Sequence, residues 1–275
     1  MNKTEIDGNL PRRAVLGIDA AWTVTEPSGV AAAVETASGW RLAAVAASYE
    51  QFIARANGVE PGGERPHGSK PSAADLLDAA WRICGARVDL VAVDMPMARH
   101  PIVGRRPGDN AISSKYAARG AGTHSPSARR PGAVSDTLRA DFEAHGYALC
   151  TCAPARGLIE VYPHPALIEF LEAGYRLEYK VGKIAAYWRN DSPDARHCKL
   201  REVWARIVEG LERRIKGVKA ALPPPASEIR GWRLKAYEDR LDAVVCAAVA
   251  IACLNGKAKA FGDDDAGIWV PIARA

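Results

Sequence analysis

The chain has 275 residues, of which 48% are hydrophobic and 25% charged, and its formal net charge of +5 at pH 7 is modest for a soluble globular protein. Its polar start lacks the apolar stretch of a signal peptide, and no apolar run could cross a bilayer without interruption by charge. We therefore expect a cytoplasmic protein, not a membrane protein, with a flexible tail over residues 1–13 and one domain over residues 14–275.

The first predicted elements are three antiparallel strands. Residues 14–22, AVLGIDAAW, are a short apolar run rich in β-forming residues. The runs PSGVAAAVE and WRLAAVAAS follow at hairpin spacing, with Ser38 and Gly39 between them. This pattern predicts a three-stranded meander, and a short helix is predicted after it over residues 49–56.

A loop, a helix and a buried strand are predicted next. The stretch 58–72 has no core-forming content, so we expect a loop insertion near residues 57–71. Ser72 is the predicted N-cap of the helix AADLLDAAWRICGA. Residues 88–96, VDLVAVDMP, form a continuous apolar run stopped by proline, which is typical of a strand buried on both faces. This strand is expected to lie beside the first strand, and the helix before it then forms a crossover connection.

The positive charge of the chain is concentrated in a second predicted loop insertion, residues 99–134. Between Arg99 and Arg130 there are seven basic residues and one acid, Asp109, so this segment carries a net charge of +6 and the remainder −1. Such a segment suits contact with phosphates, although a solvated loop is an equally good interpretation. The predicted nucleic-acid contacts are Arg99, Arg105, Arg106, Lys115, Arg119, Arg129 and Arg130.

The rest of the chain alternates between helices and strands. We predict strands at GLIEVYPHP (157–165) and, as an edge strand, GIWVPI. Helices are predicted at residues 134–147, at ALIEFLEAG, at 196–215 and at 234–254. The fold class is therefore α/β, with an antiparallel meander followed by parallel strands and with helices on both faces of the mixed sheet. The six scattered cysteines are interpreted as free thiols, and no structural zinc is expected.

Several acidic residues lie within or at the ends of predicted strands and a helix that are otherwise apolar. Asp19, Asp94 and Glu160 each lie in or at the end of a predicted strand, where an acid is unfavourable unless it is paired or binds a cation. Asp239 and Asp242 stand three apart at the expected start of an apolar helix, and helix capping is the alternative explanation for them. If these acids converge at one end of the sheet, they provide the hard oxygen ligands that Mg²⁺ or Mn²⁺ requires.

These motifs resemble known families. Three features resemble the ribonuclease-H-like superfamily, particularly Holliday-junction resolvases. They are an acid on the first strand before a hairpin, a second acid on the next crossover strand, and a D-x-x-D-A start to the last helix. More closely, GIDAAW…PSGVA, VAVDMPMAR, RRPGD, EVYPHP and EDRLDAVVCAA resemble a domain-of-unknown-function family of predicted ribonuclease-H-like nucleases. The resemblance runs from about Val15 to the end of the chain.

The resemblance implies a metal-dependent nuclease that uses a two-metal carboxylate site to hydrolyse phosphodiester bonds in nucleic acid. It assigns Asp19, Asp94, Asp239 and Asp242 as Mg²⁺ or Mn²⁺ ligands and Glu160 as a further catalytic candidate. Resolvases and many nucleases of this fold carry Glu where this chain has Asp94.

Two other functions are open at this stage. An actin-like phosphotransferase or ATPase also begins with a strand that ends in an acid, but here the turn DAAWTVTEPSG has Ala and Trp where nucleotide phosphates require glycines. A nucleotide- or nucleic-acid-binding module of the same fold, without catalysis, would carry the same acids. His164 and His124 are candidate proton shuttles, and the alternative for each is a surface residue or a hydrogen-bonded one.

Overall fold

A computed structural model describes residues 12–272, so the predicted flexible tail, apart from Arg12 and Arg13, lies outside the described residues. The Arg13 guanidinium is held by Glu35, with Nε and Nη2 donating to the two carboxylate oxygens at 2.7 and 2.6 Å. No helix within residues 12–272 has the length and apolar character needed to span a membrane.

The strands of the described chain form one sheet. They are β1 (Ala14–Asp19), β2 (Gly29–Thr36), β3 (Gly39–Ala46), β4 (Val88–Val93), β5 (Gly157–Val161), β6 (Ala258–Gly262) and β7 (Gly267–Pro271). Their order is β3-β2-β1-β4-β5-β7-β6. The meander β1–β3 is antiparallel, whereas β1, β4, β5 and β7 are mutually parallel neighbours and β6 is antiparallel to β7. The predicted mixed α/β sheet is confirmed, and the layout is consistent with a ribonuclease-H-like fold.

One strand prediction is wrong in position. GIWVPI forms β7, but β7 lies inside the sheet between β5 and β6, and β6 is the edge strand. The β6 sequence AKAFG is only partly buried, so its alternation is too weak to identify it as a strand from the sequence.

Helices cover both faces of the sheet, as expected. They are α1 (Tyr49–Ala56), α2 (Ala73–Cys84), α3 (Pro107–Tyr116), α4 (Ala133–Ala144), α5 (Pro163–Phe170), α6 (Ile184–Tyr187), α7 (Pro193–Glu212), α8 (Val218–Ala221) and α9 (Trp232–Leu254), with short 3-10 helices at Ala117–Arg119 and Val181–Lys183. The predicted cap of α2 is confirmed, since the Ser72 hydroxyl accepts a hydrogen bond from the Asp75 amide at 3.2 Å. All six cysteines are free, and Cys84, Cys246 and Cys253 are buried.

Two helices differ from the sequence-based expectation. The segment 99–134 is not a loop throughout, because it contains α3 with Pro107 in its first turn. Helix α9 begins at Trp232, and its first turn contains no acid. Asp239 and Asp242 therefore lie inside the helix, and the capping explanation for them is wrong.

The alternation of side chains along the strands separates two cores. Val15 faces α5, α7 and α9 together with Leu90 and Ile159, whereas Leu16 faces α1, α2 and α4 together with Val91. Each central strand is thus buried on both sides, which explains its continuous apolar sequence.

Two glycines allow α9 to lie directly on the sheet. A Cβ atom at Gly17 would stand 2.2 Å from the Ala243 carbonyl oxygen, and one at Gly29 would stand 2.1 Å from the Asp239 carbonyl oxygen. No side chain fits at such distances, so glycine is required at both positions. This contact brings the acids of α9 to the ends of β1 and β4.

Candidate metal centre

Asp19 and Asp94 lie side by side at the carboxyl ends of two parallel strands. Asp19 is the last residue of β1 and Asp94 follows β4, and the Asp94 amide donates to the Ile18 carbonyl at 2.8 Å. Pleating places Asp19 on the same side as Gly17, which contacts α9, and Asp94 on the same side as Ala92. Both carboxylates therefore point to the face that α9 covers.

Neither of these two carboxylates accepts a hydrogen bond from another residue between 12 and 272. Burial disfavours the charged form and repulsion from Asp239 adds to it, and together they outweigh the attraction of Lys180 and Lys235 and raise the pKa of Asp19 to about 7. Burial, followed by the charge of Asp19, raises the pKa of Asp94 well above its ordinary value. Two adjacent, unpaired carboxylates are costly unless a cation joins them.

Asp239 and Asp242 bring two more carboxylates to the same place from one face of α9. Asp242 is fully buried, accepts a hydrogen bond from the Tyr179 hydroxyl at 2.8 Å and contacts the Lys180 ammonium group. Burial outweighs the attraction of Lys180 and raises the pKa of Asp242 to about 6. Asp239 contacts Lys235, and burial likewise raises its pKa to about 6.

Three further residues complete this carboxylate cluster and were not among the predicted site residues. They are Lys180, Lys235 and Glu238. The Glu238 Oε1 atom lies 3.0 Å from Lys235 Nζ and 3.6 Å from Lys180 Nζ. Although burial opposes ionisation of Glu238, the two lysines lower its pKa. Lys235 precedes Glu238 and Asp239 at the three- and four-residue spacing of a helical ion pair, so that pairing could have been found. Lys180 lies in an irregular segment and gives no such signal.

The chemistry of the cluster fits a hard divalent cation. Five carboxylates, from Asp19, Asp94, Glu238, Asp239 and Asp242, surround only two ammonium groups. Within residues 12–272, no three His, Cys, Asp or Glu side chains are already spaced as ligands of one metal ion. The lysine ammonium groups are instead the cations that the acids of α9 contact, while Asp19 and Asp94 keep free oxygen donors of the type that Mg²⁺ prefers.

The chain matches a family model described as "Protein of unknown function (DUF429)" over residues 17–267. The chain belongs to the DUF429 family. Comparisons with curated proteins and with solved structures found no match. The predicted domain-of-unknown-function resemblance is confirmed, and the DUF429 match includes all four predicted metal ligands.

Glu160 does not join the cluster of this DUF429 chain. It pairs with Val93 in the sheet and faces away from α9, since its neighbours Ile159 and Val161 occupy the α9 side. Arg106 Nη1 and Nη2 donate to its two oxygens at 2.6 and 2.7 Å, and the Met97 amide donates at 2.8 Å. These bonds occupy the carboxylate, which argues against the predicted catalytic role of Glu160.

The predicted nucleic-acid contacts fall into two groups. Arg106 is buried and also pairs with Asp109, so it cannot reach a ligand in solution. Arg105 is held by Asn110 at 2.6 Å and Ser113 at 2.7 Å, and Arg119 by Glu169 at 2.8 Å. Of the seven predicted contacts, the exposed ones whose charged groups have neither an ion pair nor a hydrogen bond in the described chain are Arg99, Lys115, Arg129 and Arg130. Only this second group is available to bind phosphates.

His164 lies beside the cluster and is buried, contrary to the surface alternative. Its ring packs edge-on against Tyr162 and Tyr179, with centroids 5.6 and 5.2 Å apart. Its Nδ1 atom is buried without a hydrogen-bond partner in the described structure. Burial and then the charge of Lys180 lower its pKa well below the ordinary value, so the ring is neutral at physiological pH.

Proposed function

We propose that this protein is a metal-dependent nuclease that hydrolyses phosphodiester bonds. The observation that carries the proposal is the pair of adjacent carboxylates at Asp19 and Asp94, which accept no hydrogen bond in the described chain and have raised pKa values. Perturbed carboxylates converging at the carboxyl ends of parallel strands are typical of a functional site and not of a folding element.

Asp19, Asp94, Asp239 and Asp242 are the residues that would hold Mg²⁺ or Mn²⁺. When bound, such an ion lowers the pKa of water and stabilises negative charge on a reacting phosphodiester. Glycines at positions 17 and 29 fix the distance between the strand acids and the helix acids. Lys180 keeps Asp242 in place and offsets part of its charge.

Nucleic acid is the substrate class that the surrounding charges support. Arg99, Arg129 and Arg130 are exposed in the basic segment that follows β4, the strand that Asp94 follows directly. Arg130 lies over the ring of Trp22, 5.7 Å from its centroid, and Trp22 follows β1. Arginines next to an aromatic ring are suited to a phosphate backbone and its bases.

A cleavage assay tests the proposal. Purified protein would be incubated with labelled single- and double-stranded DNA and RNA, with Mn²⁺, Mg²⁺ or EDTA. We expect metal-dependent cleavage of at least one substrate, which Asp94→Asn abolishes. The control Asp78→Asn changes an exposed aspartate on α2 and should retain activity. Metal binding without cleavage of any substrate would favour the binding-module alternative, and cleavage that persists in EDTA would contradict the metal site.

A further inference from the structure

A cavity of about 530 Å³ lies apart from the carboxylate cluster, at the carboxyl end of β3. The end of β3, helix α1, the loop over residues 58–68 and the first half of α9 form its walls. Asp19 of β1 lies opposite Gly29 of β2. Because Val30 lies opposite Ala46 of β3 and the strands are antiparallel, Gly29 lies opposite Ala47. Ala47 is therefore two strand spacings, about 10 Å, from Asp19. The cavity and the carboxylate cluster therefore lie at the same end of the strands, where β1 and β3 end.

Three guanidinium groups line this cavity, from Arg55, Arg233 and Arg240, against one carboxylate, Glu64. Arg233 is exposed and lies over the Trp232 ring, so Arg55 and Arg240 are the two that are partly buried. Arg240 donates through Nε to the Ala236 carbonyl at 3.2 Å, and its guanidinium lies 5.7 Å from the centroid of the Tyr237 ring. Its two Nη groups have no hydrogen-bond acceptor among the described residues. Arg55 contacts the exposed Glu60 at 3.1 Å, while its Nε atom is buried and has no hydrogen-bond partner in the described chain. Glu64 also lines the cavity, from the exposed loop.

Arg55 and Arg240 place two positive charges in the wall of one cavity. Each also has guanidinium N–H groups without a hydrogen-bond acceptor in the described chain. Like charges in a partly buried wall are unfavourable without an anion, and unpaired N–H donors add to the cost. An anion with several oxygens removes both costs, because the planar guanidinium fork donates two parallel hydrogen bonds to it.

We propose that this cavity binds a phosphate group through Arg55 and Arg240. Its volume is in the range of small-molecule sites, and Trp232 and Ile229 provide apolar wall for the remainder of a phosphate ester. The phosphate belongs either to a free phosphomonoester or to the backbone of a nucleic acid that also reaches the carboxylate cluster. The site goes beyond the proposed nuclease activity and does not require it.

Calorimetric titration with inorganic phosphate in EDTA tests the site without metal or cleavage. Wild-type protein should bind phosphate, and Arg55→Gln and Arg240→Gln should each weaken binding at least about tenfold, since each removes charge-assisted hydrogen bonds. Arg41→Gln is the matched control, because Arg41 is exposed on β3 outside the cavity and should not affect binding. Circular dichroism melts would show that the variants are folded.

Titration of the same variants with a nucleoside 5′-monophosphate and with a short single-stranded oligonucleotide identifies the source of the phosphate. Loss confined to the monophosphate indicates a free phosphomonoester, and loss with the oligonucleotide indicates a backbone phosphate. If wild type does not bind inorganic phosphate, or if the two arginine variants bind it as tightly as wild type and Arg41→Gln, the site does not exist. That outcome leaves the nuclease proposal standing, and a failed cleavage assay leaves the phosphate site standing.

Discussion

Replacing Asp19 by Asn should stabilise the metal-free protein, although most substitutions at partly buried positions destabilise. Asn has nearly the same shape as Asp and cannot ionise. The Asp19 carboxylate has no hydrogen-bond partner in the described chain, so the substitution breaks no hydrogen bond. It removes a charge that burial and Asp239 disfavour more strongly than Lys180 and Lys235 favour it.

The size and the pH dependence of the effect follow from the pKa of Asp19. The folded protein raises that pKa from 3.8 to about 7, and one pKa unit corresponds to about 1.4 kcal/mol. The unfolded chain loses this proton near pH 4 and the folded chain keeps it until near pH 7, so wild-type stability falls as the pH rises between the two. Allowing for partial solvent screening, Asp19→Asn should gain about 2–4 kcal/mol above pH 7 and progressively less toward pH 4.

Urea unfolding followed by circular dichroism in EDTA, at pH 5 and pH 8, measures this gain. Glu160→Gln is the contrasting variant, since Glu160 is also a buried strand acid but pairs with Arg106. Breaking that pair should cost about 3–5 kcal/mol. A loss of stability in Asp19→Asn at pH 8, or an equal gain at both pH values, would refute the view that Asp19 is an unpaired, destabilising acid.

Three further results are expected. Mn²⁺ at about 100 times its dissociation constant should stabilise EDTA-stripped wild type by about 2.7 kcal/mol, and a thermal shift retained in Asp94→Asn would contradict the metal site. Lys180→Met should strengthen Mn²⁺ binding in calorimetry, because the ammonium group competes for Asp242, and weaker binding would show that Lys180 assists the metal. Changing Arg129 and Arg130 together to Ala should reduce the slope of log affinity for DNA against log salt by about 2 in fluorescence anisotropy, and an unchanged slope would make the segment a solvated loop.

Much of the fold could be read from local sequence signals. The meander follows from alternation and turn residues, and α2 follows from helical spacing and its Ser72 cap, all of which act within a few residues. Helix α3 has little apolar periodicity, and its start is held by Arg106, whose partners Met97 and Glu160 lie after β4 and on β5. Long-range contacts of this kind leave no local pattern.

The candidate site was predicted only in part, for a similar reason. Asp19 and Glu160 occupy the same sequence context, an acid at the end of an apolar strand. They face opposite sides of the sheet because their positions in the pleat differ by one residue, and register is set by neighbouring strands. Lys180 joins the acids across 62 residues of chain from Asp242, so spacing could not reveal it.

The close contact between α9 and the sheet also has a consequence for biosynthesis. Asp19 emerges from the ribosome long before Asp239 and Asp242. Until α9 has been made, the face of β1, β2 and β4 that α9 covers lacks this helix. The nascent polypeptide therefore cannot assemble its four acids before α9 has been synthesised, and termination upstream of Trp232 yields a product without a site.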